Sequence, residues 1–265
     1  MTNTKGTAVI TGASTGIGAI YADRLAARGY DLVLVARSAE KLATVAERIR
    51  ARTGRQVDVF PADLADAADL ESVEDFLRTT PDITLLVNNA GLGGTLRLVE
   101  SDIGQMTTMI ALNVTALTRL TYAITPEFIL RGAGTIINIA SVVAINPEIL
   151  NGVYGGTKAF VLGFSQNLRH ELEGTGVQVQ VVLPGATATD FWSIAGRPVE
   201  LLPSAIVMSG EDLVDAALVG LDRGEFATIP SLQDDGLYDA FETARLSMAG
   251  KLSNAIPATR YRTAA

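Results

Sequence analysis

Cysteine is absent from the 265 residues, histidine occurs once, at His170, and tryptophan once, at Trp192. Without cysteine there are no disulfides, thiolate metal sites or cysteine nucleophiles. A single imidazole excludes His-rich zinc sites and argues against a Ser-His-Asp triad; His170 lies in a polar stretch and reads as a surface residue. Positive charge is also scarce. The 21 Lys and Arg against 29 Asp and Glu give a formal net charge of −8, the wrong sign for a nucleic-acid surface. No apolar run approaches the roughly 18 residues needed to cross a bilayer, and residues 1–5 are too polar to open a secretory signal. These absences lead us to expect a soluble, cytoplasmic protein with no metal and with neither nucleic-acid nor membrane partners.

What the chain does have is apolar content, 48% of its residues, enough for a sizeable core. Short β-branched runs recur at 8–10, 32–35, 57–60, 85–87, 135–139 and 177–183, with a further short one at 227–229. Most lack polar alternation, the pattern of strands buried on both faces. Ala- and Leu-rich stretches with charges at helical spacing lie between them, as at 19–28, 39–52 and 66–78. Steady alternation of this kind predicts an α/β fold: a doubly wound parallel sheet of about seven strands with helices on both faces. No linker or repeat interrupts it, so a single domain over 1–265 is expected. Residues 186–209 break the alternation with Phe191, Trp192, Ile194, Leu201 and Ile206 at no clean period; a long apolar connection reads as a lid over a binding site.

The first strand runs into Thr11-Gly12-Ala13-Ser14-Thr15-Gly16-Ile17-Gly18 and then a helix. Gly12 permits a tight turn, Gly16 lets backbone approach a pyrophosphate, and Gly18 lets helix and strand pack closely. The helix start supplies free N–H groups and a positive dipole end, so a chain of net negative charge can still hold a phosphate. At the end of the second strand stands Arg37, followed by Ser38. A carboxylate here would suit the ribose hydroxyls of NAD; a guanidinium suits the 2′-phosphate of NADP. Asp63-Leu64 follows the third strand, where the carboxylate either meets an adenine amino group or caps the next helix. Asn88-Asn89-Ala90-Gly91 closes the fourth strand, again at the end where such sheets collect ligands.

Ser141 directly follows the fifth strand, and Tyr154 and Lys158 stand four apart on the next helix, so they share a face. An ammonium favours the phenolate. At ~4 Å and an effective dielectric of about 20 the attraction is on the order of 4 kcal/mol, up to about 3 pKa units before desolvation takes its share. The expectation is a phenol that titrates near neutrality and serves as a general acid/base.

Taken together, the glycine turn, Asn-Asn-Ala-Gly, the strand-end Ser141 and Tyr154-x-x-x-Lys158 resemble the short-chain dehydrogenase/reductase family, in its compact branch with a TGxxxGxG turn. The likeness runs from Thr7 to about Thr189. It implies a Rossmann-like domain, NADP(H) as cofactor, and a catalytic tetrad on Asn113, Ser141, Tyr154 and Lys158, with Asn113 positioning a water beside Lys158. It also implies cofactor contacts from Gly12, Ser14, Thr15, Gly16, Ile17 and Gly18, from Arg37, Ser38, Asp63 and Leu64, and from Asn89, Ala90 and Gly91. Tyr154 and Lys158 would complete the nicotinamide end, with Pro184, Gly185 and either Thr187 or Thr189 at the nicotinamide amide. Homodimers or homotetramers are the assemblies this resemblance implies.

The chain departs from the family pattern at Gly155-Gly156-Thr157, where Ala-Ser is common before the Lys, and it lacks a basic residue beside Gly16. The two helix glycines cost about 1 kcal/mol each against Ala, which suits close approach by other backbone or by the cofactor. The apolar walls point to a hydrophobic ketone or secondary alcohol, with Ser141, Val143, Leu150, Tyr154, Phe191 and Trp192 as contacts and residues 93–96 beside them. Trp192 reads equally well as packing. The rival readings are an NADP(H)-binding redox sensor without turnover and an interaction protein.

Overall fold

The computed structural model describes residues 4–262. They form two compact units, one ending at Ser231 and the other beginning at Leu232.

The first unit follows the predicted alternation. Its elements are β1 (Thr7–Thr11), α1 (Gly16–Ala27), β2 (Asp31–Ala36), α2 (Ala39–Thr53), β3 (Val57–Pro61), α3 (Ala67–Thr79) and β4 (Ile83–Asn88). After them come α4 (Ile103–Ile110), a π-helical turn Ala111–Ala116, α5 (Leu117–Arg131), β5 (Gly134–Ile139), α6 (Gly152–Glu171) and β6 (Val177–Val182). The last are β7 (Thr187–Ala188), α7 (Phe191–Ile194), β8 (Met208–Ser209), α8 (Gly210–Asp222) and β9 (Ala227–Thr228). The main sheet is seven-stranded in the order β3-β2-β1-β4-β5-β6-β9, and every pairing in it is parallel.

Two apolar layers explain why the strands read as continuous hydrophobic runs. Leu25, Leu42, Ile49 and Leu213, from α1, α2 and α8, cover one face of the sheet. Leu70, Leu77, Leu120, Phe128 and Leu168, from α3, α5 and α6, cover the other. The chain order reverses between β1 and β4, which are neighbours although two strands, β2 and β3, separate them in sequence. Their carboxyl ends therefore open a crevice, the place where such sheets bind ligands. A buried polar chain pins the floor beneath it. Asn88 Nδ2 donates to Asn138 Oδ1 at 2.9 Å and to Thr121 Oγ1 at 3.1 Å, and Asn138 Nδ2 donates to Ser165 Oγ at 3.0 Å. These bonds tie β4, β5, α5 and α6 together, leaving the Asn88 Oδ1 as the one side-chain oxygen of the two asparagines with no partner.

Segment 186–209 contains only the two-residue β7 and β8, the four-residue α7 and two single 3-10 turns. In the second unit, α9 (Gly236–Ser247) carries an Arg245–Glu242 ion pair one turn apart. Among the described residues no helix is long and apolar enough to cross a membrane, and no cluster of three or more His, Asp or Glu is placed to hold a metal.

Candidate active site

The glycine turn sits where β1 meets β4. Gly12 and Gly16 adopt φ of +66° and +55°, the left-handed region in which side chains are strained. Gly18 is required for a different reason: a Cβ there would stand 2.4 Å from the Gly12 carbonyl oxygen and 2.5 Å from Asn89 Nδ2. Gly12 is equally confined, with Asn89 Nδ2 at 2.8 Å and Ala90 Cα at 2.9 Å from a built Cβ. Asn89 earns that proximity by donating to the carbonyls of Thr11 (2.8 Å) and Gly12 (3.2 Å). At the start of α1, Thr15 occupies the cap position but makes no side-chain cap bond. The helix thus leaves its first N–H groups without a side-chain acceptor, beside a turn that carries no Cβ at Gly12, Gly16 and Gly18. That cradle fits an anionic phosphate group.

The remaining residues expected at the cofactor fall along the same carboxyl edge. Arg37 is exposed just beyond β2 and makes no ion pair among the described residues. Ser38 is partly occupied, since its hydroxyl caps α2 by accepting from Lys41 N at 3.3 Å. Asp63 accepts from Ala65 N at 3.0 Å, but the helix cap is Asp66, not Asp63. Leu64 is buried in the core. Thr187 is buried, with its hydroxyl on the Gly185 carbonyl at 3.1 Å. Thr189 lies at ordinary contact distance from Gly16, 3.5 Å from a built Cβ. Of the two threonines offered for the nicotinamide end, the Thr187 hydroxyl is committed to Gly185, while Thr189 turns its Cβ and Cγ2 toward the glycine turn.

Across the crevice, Ser141 stands two residues beyond β5 and α6 presents Tyr154 and Lys158, all three buried. Ser141 is hydrogen-bonded to Tyr154, and its hydroxyl also lies 3.4 Å from the Pro184 carbonyl. Lys158 Nζ donates to the Ile139 carbonyl at 2.8 Å and stands 5.9 Å from the centre of the Tyr154 ring. Gly91 closes the gap: a Cβ on it would be 3.1 Å from Asn113 Oδ1 and 3.6 Å from Lys158 Nζ.

One expectation changes here and another gains detail. The first concerns acidity. Burial pushes the Tyr154 phenol up to about 12, against the pull of its Ser141 hydrogen bond. Burial also pushes Lys158 down to about 8. Desolvation penalises whichever form is charged, so in the protein alone it outweighs the attraction that was to bring the phenol near neutrality. The second concerns Asn113. Its side chain accepts from Leu92 N (2.8 Å) and donates to Leu92 O (2.9 Å) and Thr157 Oγ1 (3.0 Å). Both amide protons are spent, so the side chain fastens the π-helical turn to Leu92 and Thr157.

The glycines of α6 also separate. A Cβ on Gly155 would meet Pro147 at 3.0 to 3.2 Å, whereas one on Gly156 would meet nothing within 4 Å. Gly155 lets the loop after β5 pack on the helix; nothing in the structure requires glycine at Gly156. Around Tyr154, an apolar cluster gathers Val143, Met106 and Met109, with Leu150 and Phe191 packed against it. Trp192 is a packing residue: it is 8% exposed and its Nε1 donates to the Thr187 carbonyl at 3.0 Å.

Several contributors escape sequence reading. The Thr11 hydroxyl accepts from both Asn89 N and Ala90 N at 3.0 Å. Thr157 links Asn113 to the Tyr154 carbonyl. Asn151 caps α6 by accepting from Val153 N and Tyr154 N, and donates its Nδ2 to Leu96 O at 2.6 Å. An Asn one residue before a helix is a readable cap signal; the long-range bonds of Thr11 and Thr157 leave no such local trace.

The fold and these motifs recur in known proteins. A solved short-chain dehydrogenase from Sphingobium yanoikuyae in complex with NADPH superposes with a TM-score of 0.94 at 47% identity, covering 97% of this chain and 100% of that one. The bulky-bulky ketone specific alcohol dehydrogenase of Comamonas testosteroni gives a TM-score of 0.90 at 42% identity, over 98% and 99% of the two chains. Sulfoacetaldehyde reductase of Chromohalobacter salexigens is 40% identical over 187 residues, 69% of this chain and 72% of its own. The short chain dehydrogenase family model matches residues 6–197. A seven-stranded parallel sheet, a glycine cradle at its switch point and this degree of likeness make the chain a member of the short-chain dehydrogenase family of oxidoreductases.

Proposed function

We propose that this protein interconverts hydrophobic ketones and secondary alcohols with NADP(H) as hydride carrier, Tyr154 serving as the general acid/base. The observation that carries the reading is the meeting of Ser141, Tyr154 and Lys158 across the crevice from the glycine cradle. NADP(H) supplies or accepts the hydride when bound. The free N–H groups at the start of α1, that of Ile17 among them, with Ser14 and Thr15 in the turn, would hold its pyrophosphate. The unpaired Arg37 guanidinium beside Ser38 would meet the 2′-phosphate, and Asp63 the adenine. Asn89, Ala90 and Gly91 would line the middle of the cofactor, and Pro184, Gly185 and Thr189 its amide end. The NADPH-bound relative supports the choice of cofactor.

In the reductive direction Tyr154 gives its phenolic proton to the carbonyl oxygen. A phenol held at about 12 is fully protonated at neutral pH, so the acid is in its working form before reaction. Ser141 hydrogen-bonds the same oxygen and stabilises the charge that develops there. Lys158 keeps donors beyond its Ile139 bond for ribose hydroxyls, and its charge counters the phenolate left on Tyr154. Val143, Leu150 and Phe191 exclude water around the reacting carbon.

Exposed Ile103, Tyr122 and Leu130 on α4 and α5 support a homodimer or homotetramer, and we place the protein in the cytoplasm on its lack of cysteine. The test is NADPH consumption against a panel of cyclic, aromatic and dialkyl ketones, repeated with NADH. Turnover preferring NADPH is expected; a panel giving none, or a clear NADH preference, overturns the reading or the role of Arg37 respectively. Size in solution checks the assembly.

A further inference from the structure

We propose that Phe191 is a size gate for the ketone, seated in the empty side-chain position of Gly93, so that this pair sets how bulky a substituent reaches Tyr154. The inference rests on the ketone-reductase reading above and specifies which residues choose among ketones. A Cβ on Gly93 would stand 2.1 Å from Phe191 Cζ and 2.3 Å from Cε2. The ring tip thus fills the volume that any larger residue at position 93 would need. The same ring lies 5.6 Å, centre to centre, from that of Tyr154 and is edge-on to Trp192 at 5.7 Å.

The segment that follows Phe191 is pinned at two points. Trp192 is held by its bond to Thr187, and the end of α7 is held by Thr95 Oγ1, which donates to the Ala195 carbonyl at 2.7 Å. The segment bearing Thr95 is in turn fastened to the catalytic helix, because Asn151 donates its N–H to Gly94 O and its Nδ2 to Leu96 O. The Phe191 ring has no polar atom and is kept in place by packing alone. It is therefore the part of this wall that a substrate substituent can displace, at the cost of the contacts it gives up.

The experiment compares kcat/KM for a methyl ketone with that for a ketone bulky on both sides of the carbonyl. It uses wild type, F191A, G93A and the double variant. F191A is expected to move the ratio toward the bulky ketone by about tenfold, the scale of a few methylenes in an apolar pocket. G93A, whose Cβ must dislodge the ring, is expected to change the ratio in the wild-type background and to change nothing once the ring is gone. NADPH affinity should stay within about twofold throughout, since the cradle is untouched. An unchanged ratio in F191A, or equal effects of G93A in both backgrounds, overturns the gate. Should G93A fail to fold, F191A alone decides. A wild type inactive toward every ketone overturns the parent reading, and with it the gate, whereas active wild type with an indifferent F191A overturns the gate only.

Discussion

At the cofactor cradle, contact is made between backbone and amide atoms of β1 and β4, neighbours in the sheet that each contribute one short run of sequence. At the substrate wall, Thr95 reaches Ala195 across 100 residues, and Asn151 reaches Leu96 across 55. The cradle is set by what is missing, the side chains that Gly12 and Gly18 lack. The wall is set by what is present, a few polar clasps holding an aromatic ring. Change in the first should disturb folding and cofactor together, and change in the second should touch substrate alone.

The strongest probe stands where the two regions meet. Tyr154→Phe should lower kcat by about 10²–10⁴ while leaving NADPH affinity, read by fluorescence titration, near normal; near-normal turnover would remove the phenol from the chemistry. Arg37→Ala should lower the preference for NADPH over NADH by about 10- to 100-fold, equivalent to the roughly 1.5–3 kcal/mol of a charged hydrogen bond, with ketone KM unmoved. Steady-state rates with both cofactors measure it.

Gly18→Ala should cost about 1–3 kcal/mol of stability through overpacking against Gly12, visible in urea unfolding, and should weaken NADPH in step. Loss of cofactor affinity with stability intact would break the claim that the cradle's two tasks are inseparable. Thr95→Val should raise ketone KM a few fold, in keeping with about 0.5–1.5 kcal/mol for one neutral hydrogen bond, with the NADPH Kd unchanged.

Stability against pH sharpens the contrast further. Lys158 is held at about 8 in the folded chain, below its ordinary 10.5. Between those values the unfolded chain binds the extra proton, so stability rises with pH across that window. Its contribution is complete above 10.5 and is lost as pH falls through 8. Tyr154, held up at about 12 from 10.0, acts with the opposite sign and only at the alkaline end. It contributes fully below 10 and loses that contribution toward 12. Lys158→Met should flatten the rise between 8 and 10.5 in urea titrations.

How much of this was legible in the sequence follows the same division. Strands buried on both faces advertise themselves as unbroken apolar runs, so β1 to β6 were readable to within a residue or two. The glycine turn, Asn89, Ser141, Tyr154 and Lys158 were readable because each stands at a strand end or at a helical interval. The acidity of Tyr154 was not, because spacing reports the distance to an ammonium but not how far both groups are removed from water. Asn113 was found, but its amide partners were not, since Leu92 and Thr157 come from other elements. The seat of Phe191 in Gly93 was invisible for the same reason. Segment 186–209 could be identified as an exception to the alternation, yet its clasps depend on residues far away in the chain.

Asn89 Nδ2 is the nearest obstacle to a side chain at Gly12 and lies within 2.5 Å of one at Gly18, while it also bonds the carbonyls of Thr11 and Gly12. The three positions interlock like tumblers, and none can drift by single substitution without jamming the others. Anyone grafting this loop onto another scaffold would have to transplant the asparagine along with the glycines, though seventy residues of chain separate them.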